Sequence, residues 1–250
     1  MNSLAVRNEH LAVHRRMIVV RSLATAIAGM TPVPLLDDWL VVRLRRGTIQ
    51  RIAAVRGVDL DEDALRAIAE GSVKPPGWRT LVNSLPLSRI LRRGARYALR
   101  GYFFYVRADA ASRDFAVATL FDHYCARVHV GGGLDAAAGA ALRARIDRAL
   151  AKTPSGPLRQ TFRVAIGGAG RALVRAPFEL ADALSGGRLR ARLRARAPVE
   201  AEAEEVTEEA LVEHSGSLLD RVGKSMDRGM MNLPSEYVAD LVAHFEEDRG

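Results

Sequence analysis

The sequence predicts an all-α fold, a multi-helix bundle, and three observations support this prediction. Apolar residues recur at helical spacing, as in Leu4, Leu11 and Ile18, each seven residues after the last. Residues that favour helix N-termini, such as Asp59 and Asp135, precede several of these stretches. No stretch shows the sustained apolar–polar alternation of a half-buried strand. With 250 residues, 48% of them hydrophobic, the chain can bury a sizeable core without a disulfide or a metal.

The first three helices are bounded by glycine and proline. The first ends at Gly29, ahead of the Pro32–Pro34 run, which cannot continue a helix. The second spans about 36–56, and its predicted inner stripe is Val41, Leu44, Thr48, Ile52 and Val55. Asp59 is expected to cap a short third helix, with Glu62 completing a capping box. We expect that helix to end at Gly71.

The later helices follow from similar signals. A basic helix is predicted from a cap at Ser84 to about Val106, and a separate helix over about 110–130. Asp135 caps the next one, which reaches about Lys152. Further helices are expected over about 158–175 and, after a cap at Ser235, at the C-terminus.

The turn at 153–157 (TPSGP) divides the chain into two candidate halves. Residues 1–152 form a basic helical half with the proline-broken apolar hairpin, and 158–250 form a second helical half with an acidic C-terminal segment. The pattern Pro-x-x-Leu-x-Asp at 32–37 is echoed at 177–182, so the halves are also candidates for a repeat. The alternative is one continuous domain.

The charge is unevenly distributed. The net charge is +8, but residues 199–250 carry −10 and residues 1–198 carry +18. A basic body of this kind favours an acidic protein partner or an anionic membrane surface. The candidate interaction surface consists of Arg7, Arg15, Arg16, Arg21, Arg89, Arg92, Arg93, Arg96 and Arg100. The alternative is a nucleic-acid-binding protein that uses the Arg-rich helices, although no aromatic residues interleave with the arginines of 188–196 for base stacking.

Cys125 is the only cysteine, so no intrachain disulfide exists and a reducing, cytoplasmic location is expected. Asp122, Cys125 and His129 share one helix face, which leaves a catalytic or metal site as another alternative. A single helix seldom provides a complete ligand set. We therefore predict no catalytic residues, no cofactor and no metal, and a non-enzymatic protein.

Residues 17–36 approach the length of a membrane-spanning helix. Arg21 lies inside this segment, and Pro32 and Pro34 interrupt it. We expect a buried or interfacial hairpin arm in place of a span.

Residues 17–71 resemble a known helical domain. An Ala-rich apolar helix is followed by Pro32-x-Pro34, Asp37, an amphipathic helix ending at Gly57 and an acidic helix ending at Gly71. This order is similar to the helical domain of unknown function that is attached to some Era-like bacterial GTPases and found in YcjF-type inner-membrane proteins. The resemblance implies a bacterial, cytoplasmic module that is peripheral at the inner membrane, has no assigned activity, and has a GTPase as a candidate partner.

Overall fold

The structure is a computed structural model that describes residues 9–28, 36–71, 94–168 and 235–247. In these residues the chain forms seven helices: α1 (Glu9–Ala28), α2 (Leu36–Arg56), α3 (Glu62–Glu70), α4 (Gly94–Arg127), α5 (Ala136–Lys152), α6 (Gly156–Gly168) and α7 (Ser235–Glu247). Within the same ranges, β pairing is limited to one isolated bridge between Leu60 and Leu134. The predicted all-α bundle is confirmed. The second copy of the suggested repeat, at 177–182, lies outside the described residues.

The hairpin of α1 and α2 packs along α4, and its boundaries agree with the prediction. α2 runs parallel to α4, because Arg45 pairs with Asp114 (2.9 Å) and Arg56 pairs with Asp122 (2.8 Å) further along both helices. α1 runs back between these helices. Its C-terminal half is buried nearly all round, including Ile18, Val19, Leu23, Ala24 and Ala26. Among the described residues, no helix combines the length and the apolar character that crossing a membrane requires.

The predicted inner stripe of α2 is correct except for its last member. Val41, Leu44, Thr48 and Ile52 are buried, but Val55 is 58% exposed. In the last turn of α2 the inward position belongs to Arg56, whose guanidinium reaches Asp122 on α4. Val55, the preceding residue, is therefore turned towards solvent.

The predicted cap of α3 is wrong. The N-cap residue is Asp61, and its side chain makes no capping hydrogen bond. Asp59 is used differently, because its carbonyl accepts a hydrogen bond from the amide of Leu134 (2.9 Å), while the amide of Asp61 donates to the carbonyl of Leu134 (3.1 Å). This exchange ties the loop before α3 to the loop before α5. Gly71 ends α3 as predicted, with φ of 65°.

The predicted break between Val106 and Ala110 is also wrong. α4 continues without interruption from Gly94 to Arg127. The intervening residues include no glycine or proline, and Ala108 and Ala111 are fully buried, so packing stabilises helix across this point. The predicted start at Ser84 lies outside the described residues.

The remaining predicted boundaries are close to those observed. The side chain of Asp135 caps α5 by accepting a hydrogen bond from the amide of Ala138 (2.7 Å). α6 begins at Gly156, two residues before the predicted start, and α7 begins at Ser235. The predicted end of the α6 segment, near 175, lies outside the described residues.

Helices before and after the turn at 153–157 contribute to one core. Phe115 on α4 and Phe162 on α6 have ring centroids 6.0 Å apart, and both are buried. Leu241 and Phe245 on α7 are also fully buried. α3 and α5 approach closely at Gly139, where an added Cβ would lie 2.7 Å from the Cα of Ala64. That position accepts a glycine alone without a shift of one helix.

Candidate docking surface and underlying histidine cluster

The structure separates the nine arginines of the candidate interaction surface. Arg15 and Arg16 are exposed on the N-terminal half of α1. Arg21 is only 8% exposed, so its predicted place on that surface is wrong: it falls in the half of α1 that is buried against α2 and α4. The others lie where the structure describes no side chain: Arg7, Arg89, Arg92, Arg93, Arg96 and Arg100.

Two valines near the same end of the hairpin are also exposed. Val13 on α1 is 75% exposed and Val55 on α2 is 58% exposed. The two ends of the hairpin are adjacent there, because Arg56 donates a hydrogen bond to the carbonyl of His10 (3.1 Å). We define the hairpin-end surface as Val13, Arg15, Arg16, Arg51 and Val55, all of which are exposed. It combines apolar and positively charged groups at one end of the bundle.

Several other arginines are held in ion pairs with carboxylates of the same chain. Arg46 contacts both Glu62 (3.0 Å) and Glu70 (2.5 Å), which ties α2 to α3. Further pairs join Arg45 to Asp114, Arg113 and Arg143 to Asp147, and Arg159 to Asp109. These arginines are already paired with carboxylates of the protein, so they give little support to nucleic-acid binding.

A chain of histidines lies on the inner face of the same turns. Nε2 of His10 is 3.1 Å from Nδ1 of His123, and Nε2 of His123 is 3.2 Å from a carboxylate oxygen of Glu246. The side chain of His123 is only 3% exposed, and its ring lies nearly perpendicular to that of Phe245 on α7. The guanidinium of Arg145 on α5 covers that phenylalanine at 3.9 Å. These contacts join α1, α4 and α7 at one point.

Asp122 forms the second part of this cluster. Its carboxylate is completely buried and accepts hydrogen bonds from Arg56 Nε (2.8 Å) and Nη2 (3.2 Å). Nδ1 of His14 lies 3.0 Å from the same carboxylate. Two-point contact with a guanidinium compensates the desolvation of a buried carboxylate. Arg56 and Asp122 thus fix the end of the hairpin against α4.

Sequence reasoning missed this cluster. The signal that was present is the spacing of His10 and His14, one helical turn apart, together with the adjacent acid and imidazole at Asp122 and His123. Their partners lie about 110 positions away, so helical spacing alone cannot pair them.

The alternative site around Cys125 is not assembled. Asp122 is engaged by Arg56 and His14, whereas His129 contacts the carbonyl of Gly132 (2.8 Å). Burial, reinforced by the negative charge of Asp122, raises the pKa of Cys125 to about 12. A nucleophilic or metal-binding cysteine needs the opposite shift. In the part of the chain that the structure describes, no three His, Cys, Asp or Glu side chains converge as metal ligands would.

Comparison with known proteins adds no relative. No family model matches the chain, and neither does any curated protein or solved structure. The resemblance of residues 17–71 to the helical domain of Era-like GTPases and YcjF-type proteins therefore stays a prediction from the residues alone.

Proposed function

We propose that this chain is a non-enzymatic docking module whose hairpin-end surface binds an anionic membrane surface. The observation that carries the proposal is that Val13, Val55, Arg15, Arg16 and Arg51 are all exposed near the end of the hairpin where Arg56 contacts His10. Arginines near anionic lipid headgroups are attracted electrostatically, and neighbouring apolar side chains gain by leaving water at the interface. The bundle itself keeps this surface in place, because Arg56 and Asp122 hold the hairpin from beneath.

An acidic protein is the competing partner, and the resemblance of residues 17–71 makes a GTPase one candidate for it. The exposed valines favour the membrane, since a purely ionic contact with acidic side chains would gain nothing from them. Nucleic acid is disfavoured because the hairpin-end surface contains no aromatic side chain on which bases could stack.

Vesicle flotation of the full chain tests the proposal. Neutral phosphatidylcholine vesicles are compared with vesicles that also contain phosphatidylglycerol, and binding is expected only to the second kind. The double variant Arg15→Gln/Arg16→Gln should bind roughly thirty-fold less, because each basic residue near the surface contributes about 1 kcal/mol. Arg66→Gln/Arg148→Gln removes the same charge from exposed positions on α3 and α5 and is the matched control.

Equal losses in the two double variants would show that net charge alone attracts the protein, and would contradict the proposed surface. Equal flotation on neutral and anionic vesicles would contradict its electrostatic basis. If the chain bound an acidic protein and did not bind vesicles, the membrane proposal would be contradicted and the acidic protein would be the partner. Raising the salt concentration should weaken vesicle binding, because exposed charges are screened.

A further inference from the structure

A cleft of about 270 Å³ lies between α4, α5 and α7, and shares no residue with the hairpin-end surface. Water occupies about 30 Å³ per molecule in the liquid, so this space exceeds what a few ordered waters fill. Its apolar wall consists of Ala116 on α4 and Leu150 and Ala151 on α5. A cleft of this size accommodates a molecule of amino-acid dimensions.

Tyr237 on α7 supplies a polar group to this cleft. Its side chain lines the cleft but is only 6% exposed. Burial raises the pKa of Tyr237 to about 12, against the opposing positive charge of Arg159, so the hydroxyl keeps its proton at neutral pH. It can therefore donate a hydrogen bond to a ligand in the cleft.

Charges of both signs line the same cleft. Arg113 contacts Asp147 through one nitrogen (Nη2 to Oδ1, 2.9 Å), which leaves most of the N–H donors of its guanidinium available. Asp109 contacts Arg159 at 3.3 Å through one carboxylate oxygen and is half exposed. Arg143 also holds Asp147 (3.1 Å), so Asp147 belongs to the framework. Arg113 can therefore accept an anionic group, and Asp109 a cationic one.

We propose that this cleft binds a small zwitterion with a short apolar side chain, an α-amino acid of about the size of leucine. Its carboxylate would be recognised by Arg113 and the hydroxyl of Tyr237, its ammonium group by Asp109, and its side chain by the wall of Leu150, Ala151 and Ala116. The two charges are opposite, as are those of the ligand, so both are compensated on binding. This site is independent of the proposed membrane docking.

The test uses the full chain and three probes: leucine, 4-methylpentanoate, which lacks the ammonium group, and 3-methylbutylamine, which lacks the carboxylate. Binding is measured by titration calorimetry and by NMR line shapes. Leucine is expected to bind, and each of the other two at least ten-fold more weakly. Equal affinity for all three would overturn the recognition of both charges, and failure of leucine to bind at millimolar concentration would overturn the site.

Variants locate the binding. Tyr237→Phe keeps the buried ring and removes the hydroxyl, and Asp109→Asn removes the carboxylate charge. Each should weaken leucine binding by about five- to ten-fold, as loss of one hydrogen-bonded group does. Asp63→Asn on α3 is the matched control, since Asp63 is exposed and outside the cleft. Unchanged binding in both cleft variants would overturn the assignment, whereas vesicle binding should be normal in all three.

Discussion

Only one hydrogen can lie between the rings of His10 and His123, because their facing nitrogens are 3.1 Å apart. If both imidazoles were protonated, two N–H groups would point at each other. The joined pair can therefore take up one proton at most beyond its neutral state, and that proton is favoured by the carboxylate of Glu246. When the two rings separate, each can be protonated independently.

The contact between the first turn of α1 and α4 should consequently weaken in acid. Below about pH 6.5, where exposed histidines become protonated, the separated rings bind one more proton than the joined pair. The equilibrium constant for forming the contact then falls as the pH falls, and the slope approaches about ten-fold per pH unit well below that value. Arg56 and Arg145, which lie beside the pair, stay charged throughout this pH range.

Hydrogen exchange of amides 9–13 at pH 7.5 and 5.5, corrected for intrinsic rates, measures this effect. The wild-type protein should lose protection at the lower pH, whereas the middle of α2 should not. His10→Gln should remove the acid sensitivity, because a carboxamide can either donate to a neutral His123 or accept from a protonated one. If His10→Gln lost the same protection at pH 5.5 as the wild-type protein, the pair of histidines would not be the cause of the acid sensitivity.

Replacing Arg56 should be strongly destabilising. Arg56→Ala leaves the carboxylate of Asp122 buried without its guanidinium, and breaking a buried pair in this way costs about 3–5 kcal/mol. Arg113→Ala is the matched control, since its pair with Asp147 is much more exposed and should contribute about 0–1 kcal/mol. Urea unfolding compares the two variants. A cost below 1 kcal/mol for Arg56→Ala would mean that the hairpin end is not held by this pair.

Gly139→Ala should destabilise the protein although alanine is the better helix former. The new methyl carbon would lie 2.7 Å from the Cα of Ala64, and such overpacking costs about 1–3 kcal/mol. Gly156→Ala places a methyl group in open space and should be neutral or slightly stabilising. Thermal unfolding of both variants makes the comparison. Equal stability would contradict the close contact of α3 and α5.

Cys125 should react slowly with iodoacetamide at neutral pH. Burial holds its pKa near 12, so the reactive thiolate is scarce until the protein unfolds. When urea unfolds the protein, the rate of alkylation should rise to that of a free cysteine. Fast alkylation of the native protein would contradict the raised pKa and would support an active site at Cys125.

The sequence predicted the ends of helices well where a residue at or next to the end determines them. Glycine and proline mark the ends of α1, α2 and α3, and Asp135 caps α5 through its own neighbouring amide. The prediction was wrong where a residue distant in the sequence determines the local structure. Asp59 is not a cap because its carbonyl binds Leu134, a residue 75 positions later.

The candidate surface shows the same limit. Exposure of Arg15 and Arg16 follows from the helical pattern, but burial of Arg21 depends on how α1 is enclosed by α2 and α4. The histidine cluster and the cleft at Tyr237 are each assembled from three or more helices. Helical periodicity determines which residues share a face, and tertiary packing determines which faces meet.

The depth of the hairpin-end surface in the membrane tests the central claim most directly. In a Cys125→Ser background, an environment-sensitive fluorophore is attached to Val13→Cys or, as the control, to Asp63→Cys, since Val13 (75%) and the side chain of Asp63 (73%) are similarly exposed. On vesicles containing phosphatidylglycerol, the emission from position 13 should shift to the blue and that from position 63 should not. Equal shifts at both positions, or none at position 13 while the protein floats with the vesicles, would contradict docking through this surface.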